Sequence, residues 1–280
     1  MNKRLMASVI AAALAAFIAH PARAVTATGV ADTSRAAAVP RPALWAKAVE
    51  TYESNKKLVP GRVIEKTEEV DDKGRAKSQE IFEISVVLGP DGKLRNEIVR
   101  SSKNGKDTTK ETKKEAAERE RKDKKEKGDS GSSSHSFSYS ESPFDAKAQP
   151  KVRVTETNLR ETVGGASCLR FDFSYPERRR PGSKEKPVTI KGIAWIDEGS
   201  GRPMKIQYTT EPLPSHVKVL VNTLIYDAES NGAWILRELI FDARGSFLFI
   251  DKRFHGDLLF SDHFVYLDPD STDVERDSAN

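Results

Sequence analysis

The sequence has 280 residues, 37% of them hydrophobic and 31% charged, with a formal net charge of +4. A single cysteine, Cys168, excludes a disulfide framework. A balance this near neutrality excludes the concentrated basic field that nucleic acid demands, so no nucleic-acid partner is expected.

The chain opens as an export signal. Lys3 and Arg4 precede an uncharged apolar run from Leu5 to Ala19, and Pro21-Ala22-Arg23-Ala24 places small residues before a cleavage point. The run is shorter than the about 20 residues that cross a bilayer. Residues 1–24 are therefore expected to leave, and no segment of the mature chain is expected to span a membrane. Lys3, Arg4 and Arg23 go with the signal, leaving 43 basic against 42 acidic residues. Residues 25–40, rich in Ala, Thr and Ser, read as a flexible arm.

A helix is predicted next. Pro42 suits its first turn, and Leu44, Trp45, Ala48, Val49 and Tyr52 fall at helical spacing on one apolar stripe. Pro60-Gly61 stops it. Three strands follow: Arg62 to Val70, Arg75 to Leu88, and Lys93 to Ser101. They turn at Asp71-Asp72-Lys73-Gly74 and Gly89-Pro90-Asp91-Gly92. Phe82, Ile84, Val86 and Leu88 share one face of the second.

Residues 103–142 interrupt the pattern. Lys103 to Gly128 holds 11 basic and 7 acidic residues, with Ala116 and Ala117 as its only nonpolar side chains. Glu115–Arg119, Glu118–Lys122 and Glu120–Lys124 are i,i+4 pairs, so a solvated, fraying helix or a disordered loop is expected. Asp129 to Ser142 is a Ser-rich link, whose Phe137 and Tyr139, with Phe144 beyond it, are suited to docking on the sheet.

From Val152 the alternation resumes. Strands are predicted over Val152 to Leu159, Cys168 to Tyr175, Pro187 to Asp197, Pro203 to Glu211, His216 to Asp227, Ala233 to Asp242, Ser246 to Phe254 and Asp257 to Tyr266. Turn signals fall at Gly164-Gly165, Pro181-Gly182, Gly199-Ser200-Gly201, Asn231-Gly232 and Arg244-Gly245. Connections this short leave no room for crossover helices, so the strands pair antiparallel. The fold class is mainly β, about eleven antiparallel strands in a curved, unclosed half-barrel with an N-terminal helix and a charged insertion. Residues 41–267 make one domain, and the acidic tail, 268–280, is expected to be disordered.

Catalytic signatures are absent: no nucleophile elbow, P-loop, dinucleotide fingerprint or zinc-protease motif. His135, His216, His255 and His263 match no compact ligand spacing, and Cys168 reads as a small apolar residue on a strand. No enzyme, catalytic residue, metal or cofactor is expected. One signal stands out. Aromatic and aliphatic side chains exceed what one amphipathic helix can cover: Phe171, Phe173 and Tyr175 alternate along one strand, and Met204, Ile206 and Tyr208 along another. Either the sheet curls on itself, or part of one face stays open for an apolar ligand.

Several stretches resemble the LolA-like periplasmic proteins, a group that includes lipoprotein carriers, mycobacterial lipid-binding lipoproteins and the lipid-sensing domain of a sigma-factor regulator. They are the export signal, the helix through Leu44-Trp45, Val163-Gly164-Gly165-Ala166-Ser167-Cys168-Leu169-Arg170-Phe171, Ala194-Trp195-Ile196-Asp197 with Gly201-Arg202-Pro203-Met204-Lys205, and Phe247-Leu248-Phe249-Ile250. The resemblance implies a periplasmic half-barrel whose apolar cavity holds acyl chains without covalent chemistry. Its partners would be a lipid or acylated protein and a membrane-bound donor or acceptor. The family's several lid helices are reduced here to one clear helix. The candidate lining is Phe82, Ile84, Val86, Phe171, Phe173, Tyr175, Met204, Ile206 and Tyr208; the other choice of faces would bring in Ile193 and Trp195 with Leu220 and Leu224. The alternative function is a protein-interaction module with a filled core.

Overall fold

The computed structural model describes residues 42–71, 73–127, 142–177, 188–229, 231–247 and 250–267. The expected signal, arm and tail lie outside these, as do most of the Ser-rich link and the Leu248-Phe249 pair. Helix α1 is Ala43–Asn55, and the strands before the insertion are β1 (Leu58–Val59), β2 (Arg62–Val70), β3 (Ala76–Leu88), β4 (Leu94–Lys103) and β5 (Lys106–Asp107). Helix α2 is Thr109–Lys127. Then come β6 (Arg153–Val163), β7 (Ala166–Pro176), β8 (Thr189–Asp197), β9 (Pro203–Glu211), β10 (Val217–Ala228), β11 (Trp234–Phe247), β12 (Ile250–Ser261) and β13 (Phe264–Val265).

Eleven of these strands form one antiparallel sheet in the order β5-β4-β3-β2-β12-β11-β10-β9-β8-β7-β6, and β1 pairs with β13 in a separate ribbon. Strands β5 and β6 are the two edges and do not pair with each other, so the sheet is not closed into a barrel. Two meanders meet at its middle: the antiparallel β2–β12 pair joins the first strands of the domain to the last.

The expected number of strands is met, but not by the expected segments. Ala233 to Asp242, Ser246 to Phe254 and Asp257 to Tyr266 do not give three strands of the sheet. They are the two long strands β11 and β12 and the short β13, and β5 supplies the eleventh. The turn expected at Arg244-Gly245 is the interior of β11, where Gly245 serves close approach rather than a turn: a Cβ there would stand 2.6 Å from the His216 carbonyl oxygen. In β12, Gly256 likewise makes room for the Phe241 ring, which a Cβ would meet at 2.1 Å. Strand β6 runs on past Leu159 to Val163 through an irregularity between Glu156 and Arg160, where Asn158 has φ +58.

Helix α1 begins after Pro42 and lies across one face of the sheet against β8, β9 and β11. Its stripe is the predicted one. Trp45 and Ala48 are fully buried, and Leu44, Val49 and Tyr52 pack beside them. Residues 142–152, which end in a single 3-10 turn at Gln149–Lys151, strap the helix down. The Phe144 ring lies 4.7 Å from Trp45, and Phe171 and Phe173 follow at 5.9 and 6.1 Å. The Trp45 indole N–H donates to Gln149 Oε1 at 3.1 Å, and Gln149 Nε2 donates to the carbonyls of Pro143 and Asp145. The Ala146 N–H donates to Glu53 Oε1 at 2.9 Å. Phe144 thus docks as the sequence suggested.

Of the two readings of the charged segment, the helix is the one adopted. Thr109 donates through both N–H and hydroxyl to the Asp107 carboxylate, at 2.8 and 2.6 Å. The Ser101 N–H donates to Thr109 Oγ1 at 2.9 Å, and Thr112 Oγ1 donates to Ser101 Oγ at 3.0 Å. These bonds pin the first turn of α2 to β4. Residues 113–118 are exposed, as a helix without an apolar face must be.

Trp45→Ala is expected to cost about 3–5 kcal/mol of unfolding free energy, from the cavity and lost contact together. Trp45→Phe is expected to cost about 1–3 kcal/mol, since it keeps much of the packing but strands Gln149 Oε1. Urea denaturation followed by far-UV circular dichroism measures both.

Candidate functional site

Side chains alternate across the sheet, so the pairing register states which residues share the face that α1 covers. In register from β7 to β4 run Phe171, Ala194, Ile206, Leu224, Leu239, Leu258, Glu65, Phe82 and Ser101. The next row is Phe173, Gly192, Tyr208, Asn222, Phe241, Gly256, Thr67, Glu80 and Lys103. The covered face is therefore polarised, apolar from β7 to β12 and mixed from β2 to β4.

All nine residues of the sequence-derived lining fall on this face, but in two environments. Phe171, Phe173, Tyr175, Ile206 and Tyr208 are buried core, at 0–8% exposure, in the region where α1 and Phe144 pack. Val86 is also buried, whereas Met204, Phe82 and Ile84 are half-buried. The other choice of faces mixes the two sides of the sheet. Leu224 pairs with Ile206 on the covered face, while Ile193 pairs with Gln207 and Trp195 with Lys205 on the opposite one.

Beyond the reach of α1 lies a floor formed by β12, β2 and β3. Phe82, Ile84 and Phe254 are half-buried there, and Ile84 and Phe254 pack against the core. Charged groups rim it. Lys252 Nζ meets Glu69 Oε2 at 2.9 Å, and Lys103 pairs with Glu80. Glu65 is different. It stands between Leu258 and Phe82, its cross-strand neighbours, and accepts a hydrogen bond from Thr67 Oγ1 at 3.3 Å. Among the described residues it has no basic partner. Burial pushes its carboxyl above the ordinary range; the Thr67 hydroxyl opposes the shift and the nearby Glu80 charge adds to it. Sequence reasoning passed over Glu65, because β2 carries charges on both of its faces and nothing local says which one faces the apolar floor.

The opposite face is polar. A shallow groove of about 620 Å³ there is lined mainly by Arg153, Thr155, Arg170, Asp172, Ser174 and Lys191. His255 sits on the same side, with Nδ1 2.9 Å from Asp242 and Nε2 3.2 Å from Asp257, and His263 Nδ1 lies 2.8 Å from Glu229. Among the described residues, no three His, Cys, Asp or Glu side chains gather around one point. The buried Cys168 thiol is pushed up to about 11, by burial first and by the Asp197 charge second. That keeps it in the unreactive thiol form at neutral pH.

No protein family matches the chain in sequence, and no curated protein is a match. Among solved structures, a DUF1329 family protein from Desulfovibrio piger is 10% identical over 80% of this chain and 92% of its own, with a TM-score of 0.33. MucB in complex with MucA(peri) is 8% identical over 77% of this chain and 92% of its own, with a TM-score of 0.19. The Pseudomonas aeruginosa MucA/MucB complex has the same identity and coverage with a TM-score of 0.21. Similarity this distant assigns no function.

Glu65 holds its proton to higher pH when folded than the ordinary 4.5. The native state therefore binds more protons than the unfolded chain above that value, and stability falls as pH rises through the raised one. Glu65→Gln escapes this loss. The variant is expected to melt above wild type at pH 7, with the gap closing below pH 4.5; thermal melts across that range check it.

Proposed function

We propose that this is an exported, LolA-like binding module. It holds the acyl chain of a lipid or of an acylated protein on the open floor between β12, β2 and β3, without covalent chemistry. The observation that carries the reading is the half-buried set Phe82, Ile84 and Phe254, on strands that the helix capping the rest of the core does not lie against. Apolar side chains left part-wet favour an apolar guest, and each methylene that leaves water there contributes about 0.8 kcal/mol. The signal-like N-terminus supports a periplasmic location, where a membrane-bound donor or acceptor would exchange the cargo. No helix among the described residues is long and apolar enough to cross a membrane itself.

The site is displaced from the centre of the sheet, because α1 and Phe144 already occupy the floor at Phe171 and Phe173. That filled half is what a protein-interaction module with a closed core would also show, so the two readings part on the ligand alone.

Protein purified from the periplasm without detergent is expected to release a stoichiometric lipid on organic extraction, identified by mass spectrometry. Phe82→Glu and Phe254→Glu are each expected to lower that occupancy at least tenfold. Protein that is clean, and remains clean after incubation with lipid vesicles and an acylated peptide, would overturn acyl binding in favour of the interaction module.

A further inference from the structure

We infer that the ligand is an amine-headed lipid, and that Glu65 receives its primary ammonium group. This rests on the acyl-binding reading above and names the chemistry of the ligand's polar end.

The charges on this part of the covered face are few and can be followed one by one. Strand β2 presents Glu65 and Glu69, β3 presents Glu80, β4 presents Lys103, β5 presents Lys106 at the sheet edge and β12 presents Lys252. Lys252 is bound to Glu69 and Lys103 to Glu80. Neighbouring carboxylates on the opposite face are matched in the same way, Glu83 by Arg62 and Glu68 by Lys66. Glu65 alone of this group is left with a hydroxyl, Thr67, and no cation. One carboxylate of the floor is therefore left without a cation beside it, and it stands between Leu258 and Phe82.

A carboxylate in that setting has given up much of its hydration without gaining a counter-charge, which is costly unless a cation is supplied. An ammonium on an alkyl chain supplies it from the solvent side. The chain then lies over Phe82 and Ile84, on one side of Glu65 along the strands, while the head meets the carboxylate, and a charge-assisted hydrogen bond in a partly dry site is stronger than a neutral one. An anionic head at the same place would meet Glu65 and Glu80 as like charges.

The test is calorimetric titration of wild type and Glu65→Gln with decylamine, decanol and decanoate, each below its micelle concentration, at pH 7. Wild type is expected to bind decylamine at least tenfold more tightly than decanol, and decanoate more weakly than decanol. In Glu65→Gln the advantage of the amine is expected to vanish while decanol binding persists. Equal affinity for amine and alcohol in wild type, or an amine preference that survives the substitution, overturns the inference and leaves acyl binding standing. Binding of none of the three overturns both. If Glu65→Gln does not fold, the ranking of the three heads on wild type decides alone.

Discussion

The burial of Trp45 is the contact on which the architecture depends. An eleven-stranded sheet presents far more apolar surface than a 13-residue helix can cover, so the helix must be held where it covers most. Trp45 does this by meeting three aromatic rings from two other parts of the chain and by spending its single N–H on Gln149. Gln149 in turn closes the strap on itself through Pro143 and Asp145. The far end of α1 is fixed as well. Asn55 Oδ1 accepts from the Trp234 N–H at 3.2 Å, and the Trp234 indole donates to the Pro203 carbonyl at 2.7 Å. Helix, strap and sheet are thus tied at both ends of one helix, and the covered half of the face is a conventional core.

What remains uncovered follows from that placement. With α1 committed to β8, β9 and β11, the β2–β4 side of the face must reconcile itself with water by composition. It does so with ion pairs at its rim and apolar side chains at its floor. Glu65 is the exception inside this arrangement, a carboxylate set in register between an aliphatic and an aromatic residue. Residues that break the local rule of a sheet face without an evident gain in stability mark the places where function has been at work.

The architecture was largely legible because period-two alternation and turn residues are local signals. The predicted stripe of α1 and the alternation within each strand follow from spacing alone, whereas which strand faces lie together is set by the pairing register. The failures were also local. Gly245 reads as a turn because glycine permits turns, yet it sits mid-strand because the chain entering β10 crosses too near for any Cβ. No window of sequence around Gly245 contains His216. The same limit hid the division of the lining into closed and open halves. Which half α1 covers is settled by Phe144, 99 residues distant from Trp45 in the chain and 4.7 Å from it in space.

Helix α2 shows how a charged element stays off the open half. The connection that holds it leads from the edge strand β5 to the other edge, β6, and both of its described ends stand on the covered side: Ser101 anchors α2, and Phe144 enters the core. A connection so placed would be drawn onto the apolar floor if it carried an apolar stripe of its own. Helix α2 carries none. Ala116 and Ala117 are exposed, and laying the surrounding lysines and glutamates on Phe82 and Phe254 would desolvate charges at several kcal/mol each. The polarity of α2 thus keeps its residues 113–118 in water and off the apolar floor.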